Sequence, residues 1–408
     1  MIPFWTVFPF VFLLLSIALL PIVAPHFWES NGKKAVVAIL LSIPIFVWLL
    51  ANDPEGLLHS VEEYISFIVL LGSLYTISGG IALSGDLQAT PKVNTLFLAL
   101  GGVLASVIGT TGASMVLIRP LLRTNSERKN TKHLPIFFIL IVSNCGGLLT
   151  PLGDPPLFLG YLRGVPFFWT LRLFPYWALV VGALLFAFYL WDQRAYHSES
   201  KEALRKDQAA VAPLRLEGSR NLLFLGGVLY GVFLPTPWRE ILMIHMAALS
   251  FFMGSKTARH HNHFAWHPII EVAILFAGIF ITMVPTLMLL KERGPEFGIT
   301  QPWHFFWLTG SLSSFLDNAP TYVTFLSLAQ GLGLPGEVVG VPTRILEAIS
   351  IGAVFMGANS YIGNGPNFMV KAIADHSGFK MPSFFGYMAY VALILFPLYG
   401  VITLLLLR

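Results

Sequence analysis

Long apolar blocks separated by short polar stretches make up most of this chain of 408 residues. Residues 4–24, 35–51 and 64–83 are each about as long as a helix must be to cross the hydrocarbon core of a bilayer. Similar blocks recur along the chain with only short connections between most of them. The pattern predicts an all-α polytopic membrane protein.

We predict ten membrane-spanning helices and two re-entrant hairpins. The spans of the first half lie near residues 4–24, 35–51, 61–83, 134–162 and 173–191. Those of the second half lie near 220–235, 239–254, 266–290, 344–373 and 383–407. The hairpins lie near 93–124 and 302–332. The chain then divides into a first repeat (1–191), a cytoplasmic linker (192–219) and an inverted second repeat (220–408).

The two hairpin segments are apolar at their ends but carry polar or helix-breaking residues at their centres. The first contains Gly109-Thr-Thr-Gly112 and the second Asp317-Asn-Ala-Pro320. Backbone that leaves the helix at membrane depth has to be buried in protein or line a cavity. A hairpin that enters the membrane and returns satisfies this requirement, and an ordinary helix with a kink is the alternative.

Composition and charge agree with a membrane protein and indicate its orientation. Charged residues make up 11% of the chain, about half the share in a soluble domain. With the N-terminus outside and each hairpin returned to its side of entry, 18 of the 25 Lys and Arg residues lie inside and 7 outside. Because cytoplasmic loops are rich in Lys and Arg, we expect this orientation, in a cell membrane such as the bacterial inner membrane.

Two pairs of matching segments indicate an internal repeat. Residues 106–114 align with 313–321 at an offset of 207, and residues 147–158 align with 357–368 at an offset of 210. Each half contains five predicted spans. Since five is an odd number, the second copy lies upside down relative to the first, as in many secondary transporters.

The second matching pair predicts a helix that stops and restarts within each repeat. Gly153-Asp-Pro-Pro156 can end one helix and begin another, because Asp caps helices and proline is tolerated in the first turn. Gly363-Asn-Gly-Pro366 occupies the corresponding place. The free carbonyl groups of such a break suit a hard cation such as sodium. The start of the new half-helix suits an anion.

Asp154 and Asp317 are the acidic residues that fall at the centres of these segments. A carboxylate in the bilayer interior is costly, and it commonly marks an ion pathway or a proton relay. We therefore predict both residues as proton carriers. The alternative for Asp154 is that it serves only as a helix cap.

Other chemistry is not indicated by the sequence. There is no P-loop, so we do not expect ATP-driven transport, and no Cys or His cluster has the spacing of a transition-metal site. We expect a chain that is not an enzyme and has no cofactor. Its predicted partners are the lipid bilayer, inorganic cations and protons, with sodium as transported or coupling ion, and no nucleic acid.

The motifs Thr150–Pro156, Asp317–Pro320 and Gly363–Asn367 resemble those of the ion transporter superfamily. Within it, residues 60–408 are most similar to NhaD-type sodium/proton antiporters and arsenite permeases. The resemblance implies a homodimer in which a scaffold part holds the interface and a transport part moves as a body.

The resemblance also implies two sets of ion- or substrate-binding residues, one in each repeat. The first set is Thr110, Thr111 and Ser114 facing Asn144, Thr150, Gly153 and Asp154. The second set is Asp317, Asn318 and Thr321 facing Asn359, Ser360, Gly363, Asn364 and Asn367.

Two kinds of transport are compatible with these residues. An antiporter needs a titratable group that binds either a cation or a proton, and Asp154 and Asp317 supply it. An anion symporter is better served by neutral hydroxyl and amide groups. The two acids thus favour exchange of sodium or lithium for protons by alternating access. The alternatives are sodium-coupled symport of an anion such as citrate or another carboxylate, and permeation of an arsenite-type oxyanion.

The predicted orientation can be tested with single cysteines in a chain whose Cys145 is replaced by alanine. Lys92→Cys, before the first hairpin, should react with a membrane-impermeant maleimide only from the cytoplasmic side. Arg293→Cys, before the second hairpin, should react only from outside, because inversion places the two hairpins on opposite faces. Labelling of both positions from the same side would contradict the inverted repeat.

Overall fold

The computed structural model describes residues 2–406, and the chain is 77% helical. Within the described residues, the helices of the first half are α1 (Phe8–Val23), α2 (Pro25–Trp28), α3 (Asn31–Asn52), α4 (Pro54–Gly79), α5 (Pro91–Ile108), α6 (Thr110–Thr124), α7 (His133–Ile141), α8 (Pro155–Leu162), α9 (Phe174–His197) and α10 (Lys201–Ala210).

The second half continues with α11 (Asn221–Gly231), α12 (Trp238–Met253), α13 (Lys256–His261), α14 (His267–Arg293), α15 (Pro302–Ser313), α16 (Asn318–Gly331), α17 (Thr343–Met356), α18 (Gly365–His376) and α19 (Phe384–Leu406). Short 3-10 turns occupy Phe4–Val7, Cys145–Leu149, Phe167–Leu173, Gly294–Phe297 and Gly357–Asn359.

The chain is a multi-pass membrane protein, as its hydrophobic pattern predicts. Seven helical segments of the described residues are long and apolar enough to cross a membrane: Phe4–Val23, Asn31–Asn52, Pro54–Gly79, Pro91–Ile108, Phe167–His197, His267–Phe297 and Phe384–Leu406. Large apolar side chains on these helices are exposed, including Leu40 and Leu96. Such a surface is stable against lipid and unfavourable in water.

Helix α4 differs from the predicted span 61–83 at both ends. It begins at Pro54, because Pro is accommodated at the first helical position and the Asp53 carboxylate accepts a hydrogen bond from the Gly56 N–H at 3.0 Å. It ends at Gly79, where the Phe264 ring packs so closely that a side chain would collide with it.

A small antiparallel sheet is the exception to the all-helical prediction. Strand β1 (Ala82–Asp86) pairs with β2 (Ala212–Glu217), with Ala82 opposite Glu217 and Ser84 opposite Arg215. The stretch 192–219, predicted only as a linker, thus contains helix α10 and strand β2. Its Asp207 carboxylate also accepts a hydrogen bond from the Ala89 N–H at 3.0 Å, so the linker is attached to the segment between α4 and α5.

The two segments predicted as hairpins each fold back on themselves. Helices α5 and α6 meet at Gly109, whose φ of 81° is readily available only to glycine. They lie side by side, since a Cβ atom on Gly101 would lie 3.1 Å from the Leu117 side chain. Helices α15 and α16 also pack together, with the Phe305 and Phe325 rings 6.4 Å apart. A single kinked helix would not bring the two legs into contact.

The two predicted helix breaks are present and have the same backbone form. Thr150 and Asp154 are extended, with φ near −140° at both residues, and Asp154 precedes α8. Ser360 and Asn364 are also extended and precede α18. Thr150 and Ser360 thus stand at the start of a short non-helical loop, and Asp154 and Asn364 stand at its end, immediately before a half-helix begins.

Two groups of helices meet around these breaks. Helices α1, α3, α4, α11, α12 and α14 form one connected group. The second group contains the hairpins, the broken helices, α9 and α19, in which α6 contacts α18 and α8 contacts α16. The two halves of the chain therefore interlock in the second group, which contacts the first through α4 and α14.

In each break two glycines pack directly against each other, and the importance of this packing can be tested. A Cβ atom on Gly153 would lie 2.0 Å from the Gly147 carbonyl oxygen, and one on Gly363 would lie 2.6 Å from that of Gly357. Gly153→Ala and Gly363→Ala should each lower the free energy of unfolding by about 1–3 kcal/mol or more, because the main chain has to shift. Thermal unfolding in detergent measures the loss.

Gly182→Ala is the matched control, since a Cβ atom there would meet nothing within 4 Å. This variant should be as stable as the parent chain or more stable by up to about 1 kcal/mol, because alanine is more favourable than glycine within a helix. Equal stability of all three variants would show that the breaks are not closely packed.

Candidate functional site

Asp154 lies at the start of α8 and is almost completely buried, with 1% of its surface exposed. It occupies the N-cap position, as its sequence context predicts. Its side chain nevertheless makes no capping hydrogen bond to the helix. The carboxylate is directed to other segments of the chain, so the interpretation of Asp154 as only a helix cap is wrong.

Three side chains donate hydrogen bonds to the Asp154 carboxylate. The Thr110 hydroxyl donates to Oδ1 at 3.1 Å, and the Asn364 amide donates to the same oxygen at 3.0 Å. The Asn318 amide donates to Oδ2 at 2.6 Å. Asn318 and Asn364 were predicted for the second set and Asp154 for the first, so hydrogen bonds join the two sets at Asp154.

The charge of this carboxylate has no basic partner in the described part of the chain. No Lys, Arg or His nitrogen lies within 4.0 Å of Asp154. Only neutral donors contact it directly. Hydrogen bonds to a charged group contribute about 1.5–3 kcal/mol each, which is the same order as the cost of placing one carboxylate in a membrane.

Four helix starts meet at this carboxylate. Thr110 and Asn318 are the first residues of α6 and α16, and Asp154 and Asn364 are the residues that immediately precede α8 and α18. The start of a helix carries a partial positive charge and favours an anion. The arrangement makes the surroundings of Asp154 electropositive without using a basic side chain.

A second layer of amides connects the two breaks. The Asn144 amide donates to the Asn367 Oδ1 at 2.6 Å, and the Asn364 amide lies 3.3 Å from the Asn144 Oδ1. Asn367 in turn donates to the carbonyl oxygens of Gly357 and Ser360 at 2.8 and 2.9 Å. These buried bonds hold the unwound stretches of both halves against each other.

The hydroxyl groups at the breaks attach each break to its hairpin in the same way. Thr150 donates to the Ser106 carbonyl, and Ser360 donates to the Ser314 carbonyl. In the loop, the Leu152 and Ile362 N–H groups donate to these hydroxyl oxygens at 3.1 and 3.2 Å. Thr150 and Ser360 therefore position the breaks.

The remaining predicted residues make local contacts. The hydroxyl groups of Ser114 and Ser143 are 2.8 Å apart, and Thr321 donates to the Asp317 carbonyl at 2.9 Å. The Asn359 amide donates to the Ser314 hydroxyl oxygen, and the Asn359 Oδ1 accepts from the Tyr399 hydroxyl. The Gly153 carbonyl accepts the Thr110 N–H at 2.8 Å, and the Gly363 N–H donates to the Ser360 hydroxyl oxygen at 3.2 Å. Thr111 makes no side-chain hydrogen bond among the described residues.

Asp317 has the capping role that its sequence position also allows. Its Oδ1 accepts the Ala319 N–H at 3.0 Å, and the side chain is half-buried. Within the described residues, no hydrogen bond joins Asp317 to Asp154. The structure thus distinguishes the two predicted proton carriers, because only Asp154 is held by side chains from both halves.

Several residues at the site were missed by the sequence reasoning. Ser106 and Ser313 donate to the carbonyl oxygens of Gly146 and Ala353, and these partners are also 207 positions apart. The repeat alignment pairs the two serines, so it contained the signal. No sequence signal pointed to Ser143 or Tyr399, whose contacts depend on how the helices pack.

A polytopic helical fold that buries a hydrogen-bonded carboxylate between two broken helices and two hairpins is the architecture of a secondary transporter. The chain belongs to the family CitMHS_2, described as "Putative citrate transport", whose model matches residues 1–407. No curated protein matches the chain. The particular similarity to NhaD-type antiporters and arsenite permeases stays a prediction.

The bond between Asn144 and Asn367 can be tested by a double-mutant cycle. Asn144→Ala and Asn367→Ala should each lower the free energy of unfolding by about 1–3 kcal/mol, because each leaves a buried amide without its partner. The double variant should lose clearly less than the sum of the two single losses. The measurement is thermal unfolding in detergent, and additive losses would show that the contact contributes little.

Proposed function

We propose that this protein carries citrate or a related carboxylate across the membrane, coupled to sodium or a proton that binds at Asp154. Citrate is the substrate that the family description names. The single observation that supports the mechanism is the meeting of four helix starts at one buried carboxylate without a basic partner. This arrangement offers favourable surroundings to both an anion and a cation.

The helix starts are the elements proposed to attract the anionic substrate. Their partial positive charges add in the same region, and each contributes up to about 2 kcal/mol in partly buried geometries. Citrate carries several carboxylate groups that can accept hydrogen bonds from free N–H groups and from amide side chains. The neutral residues around the breaks, such as Thr111 and Asn318, are suited to this role.

The coupling ion is proposed to bind the Asp154 carboxylate itself. Asn318 and Asn364 now direct their NH₂ groups towards it. An amide that turns by half a rotation about its last bond presents an oxygen instead. The same residues can therefore stabilise the bare carboxylate through N–H groups and complete the oxygen shell of a sodium ion.

Coupling follows from the charge of Asp154. A bare carboxylate repels an anionic substrate at close range. Sodium or a proton removes that charge, so the substrate binds better when the coupling ion is present. By linkage the substrate also strengthens binding of the ion by the same factor. The two solutes then move together when the site changes its exposure.

We further propose that the two halves are inverted repeats and that the two hairpins are re-entrant. The support is the recurrence of the same contacts at offsets of 207 to 210 residues, including Ser106 with Gly146 against Ser313 with Ala353. The group of α4 and α14 would be the scaffold of a homodimer. The group that contains the hairpins and breaks would move as a body to alternate access.

Sodium/proton exchange is the second candidate function. It is favoured by the buried carboxylate of Asp154, because one such group can hold a sodium ion or a proton but not favourably both. Exchange needs no anionic substrate. The two candidates share Asp154 and differ in whether citrate moves with the ion.

Asp154→Asn is the variant that tests the proposal. The amide keeps the size of the side chain but can neither bind a proton nor carry the charge that a sodium ion needs. In proteoliposomes, uptake of labelled citrate driven by a sodium or proton gradient should fall by at least about tenfold, with normal insertion and unchanged detergent stability. An internal pH dye records proton movement in the same vesicles.

Glu296→Gln is the control, since this carboxylate is exposed and only weakly paired with Arg293 at 3.9 Å. It should transport as the parent chain does. Citrate uptake by Asp154→Asn at the parent rate would exclude Asp154 as the coupling site. If the parent chain moves protons against sodium without citrate and takes up no citrate, exchange replaces symport as its function.

A further inference from the structure

A cavity between α7, α9 and α19 is lined by none of the residues that contact Asp154. It has a volume of about 820 Å³. Its mouth is formed by the loop before α7 and by the last turns of α9. This end of the molecule is the side that the distribution of Lys and Arg predicts to be cytoplasmic.

Three basic side chains line this cavity: Lys129, Lys132 and Arg194. All three are exposed. Within the described residues, none of them forms an ion pair with a carboxylate. The nearby Glu199 is bound instead to the main-chain N–H groups of Lys129 and Asn130, at 3.0 and 2.7 Å. The cavity thus presents three cationic groups without a carboxylate partner among the described residues.

A buried polar network fixes the loop that carries these cations. Arg128 and His133 both contact the Asp192 carboxylate, at 2.6 and 2.8 Å. The His133 ring stacks on Trp191 with an angle of 9° between the planes, and the Lys132 Nζ lies 5.1 Å from the centre of the Tyr390 ring. The site is therefore built on rigid elements, and its cations are not isolated surface residues.

The inner wall of the cavity is apolar. This wall is formed along α7 and α9 by Ile136, Ala187 and Leu190. Between the apolar wall and the cationic mouth lie the aromatic side chains of Trp191 and Tyr390. A soluble anion would use only the mouth. An anionic phospholipid would use both parts, with its phosphate at the cations and an acyl chain on the apolar wall, while aromatic rings are favoured at the level of the headgroups.

We propose that this cavity binds the headgroup and upper acyl chain of an anionic phospholipid. The charge complementarity selects an anionic over a zwitterionic headgroup, and the apolar wall selects a lipid over a free anion. The site is separate from the transport site and nothing in the transport mechanism requires it. It would retain a lipid beside α7, the first half of a broken helix.

The test uses the full chain in phosphatidylcholine vesicles that contain a rising fraction of brominated phosphatidylglycerol. Bromine on the acyl chains quenches the fluorescence of nearby tryptophans. The fluorescence of Trp191 is obtained by subtracting the signal of the Trp191→Phe variant from that of the parent chain. We expect Trp191 to be quenched at lower fractions of brominated phosphatidylglycerol than of brominated phosphatidylcholine. Equal quenching by the two lipids would overturn the proposal.

The variant Lys129→Gln/Lys132→Gln/Arg194→Gln should lower this preference by roughly tenfold or more, since each interfacial cation contributes about a fivefold factor. The matched control is Lys92→Gln/Lys256→Gln/Lys380→Gln, which removes the same charge from exposed positions on the same predicted face. The control should keep the parent preference. An equal loss in both triple variants would indicate only general surface attraction and would overturn the site.

Ala187→Phe fills part of the apolar wall and leaves every cation in place. It should weaken the phosphatidylglycerol preference several-fold. This variant also tests the proposal if the triple variant fails to fold. An unchanged preference in Ala187→Phe, or displacement of the lipid by inorganic phosphate, would show that the mouth takes a soluble anion. Either result would overturn the proposal of a lipid site.

Discussion

The structure depends on one electrostatic arrangement, in which four helix starts surround a carboxylate that has no basic partner among the described residues. A charge at this depth is unfavourable unless nearby dipoles and hydrogen bonds compensate for its lost hydration. Thr110, Asn318 and Asn364 provide those bonds, and each stands where a helix begins. The arrangement requires that two helices be broken and two segments fold back, because a continuous helix has no free start in the interior of a membrane.

The close approach of these segments explains why the breaks contain glycine and asparagine. Gly153 and Gly363 have no space for a side chain because carbonyl oxygens of the same break lie against them. Asn144, before the 3-10 turn of the first break, and Asn367, in the first turn of α18, connect the two breaks through a bond of 2.6 Å. Amides are suited to such a centre because they both donate and accept and carry no charge. In the proposed mechanism, the centre exchanges partners with an ion or a substrate without exposing a second buried charge.

The family membership and the geometry together favour the proposed symport of an anion over the exchange of sodium for protons. Considered as a pair, the two acidic residues favoured exchange of cations for protons. In the structure only Asp154 is held by side chains from both halves, whereas Asp317 caps α16. A single buried carboxylate among helix starts is compatible with an anionic substrate once a cation neutralises it. The description of the family as concerned with citrate transport agrees with that conclusion.

The class of the protein and the places where its helices break could be predicted from local sequence patterns alone. Apolar blocks of membrane length act through solvation, and glycine and proline at the breaks act through the local backbone. Both effects depend mainly on residues that are close together in the sequence. Which of the two acidic residues lies at the centre of the site became visible only from the packing of the helices. Two of the three partners of Asp154 come from positions 164 and 210 residues further along the chain, and the third lies 44 residues before it. The pairing of β1 with β2 and the cationic cavity beside α7 also arise from distant segments. Such contacts depend on how the helices pack, and no pattern within a short stretch of sequence encodes them.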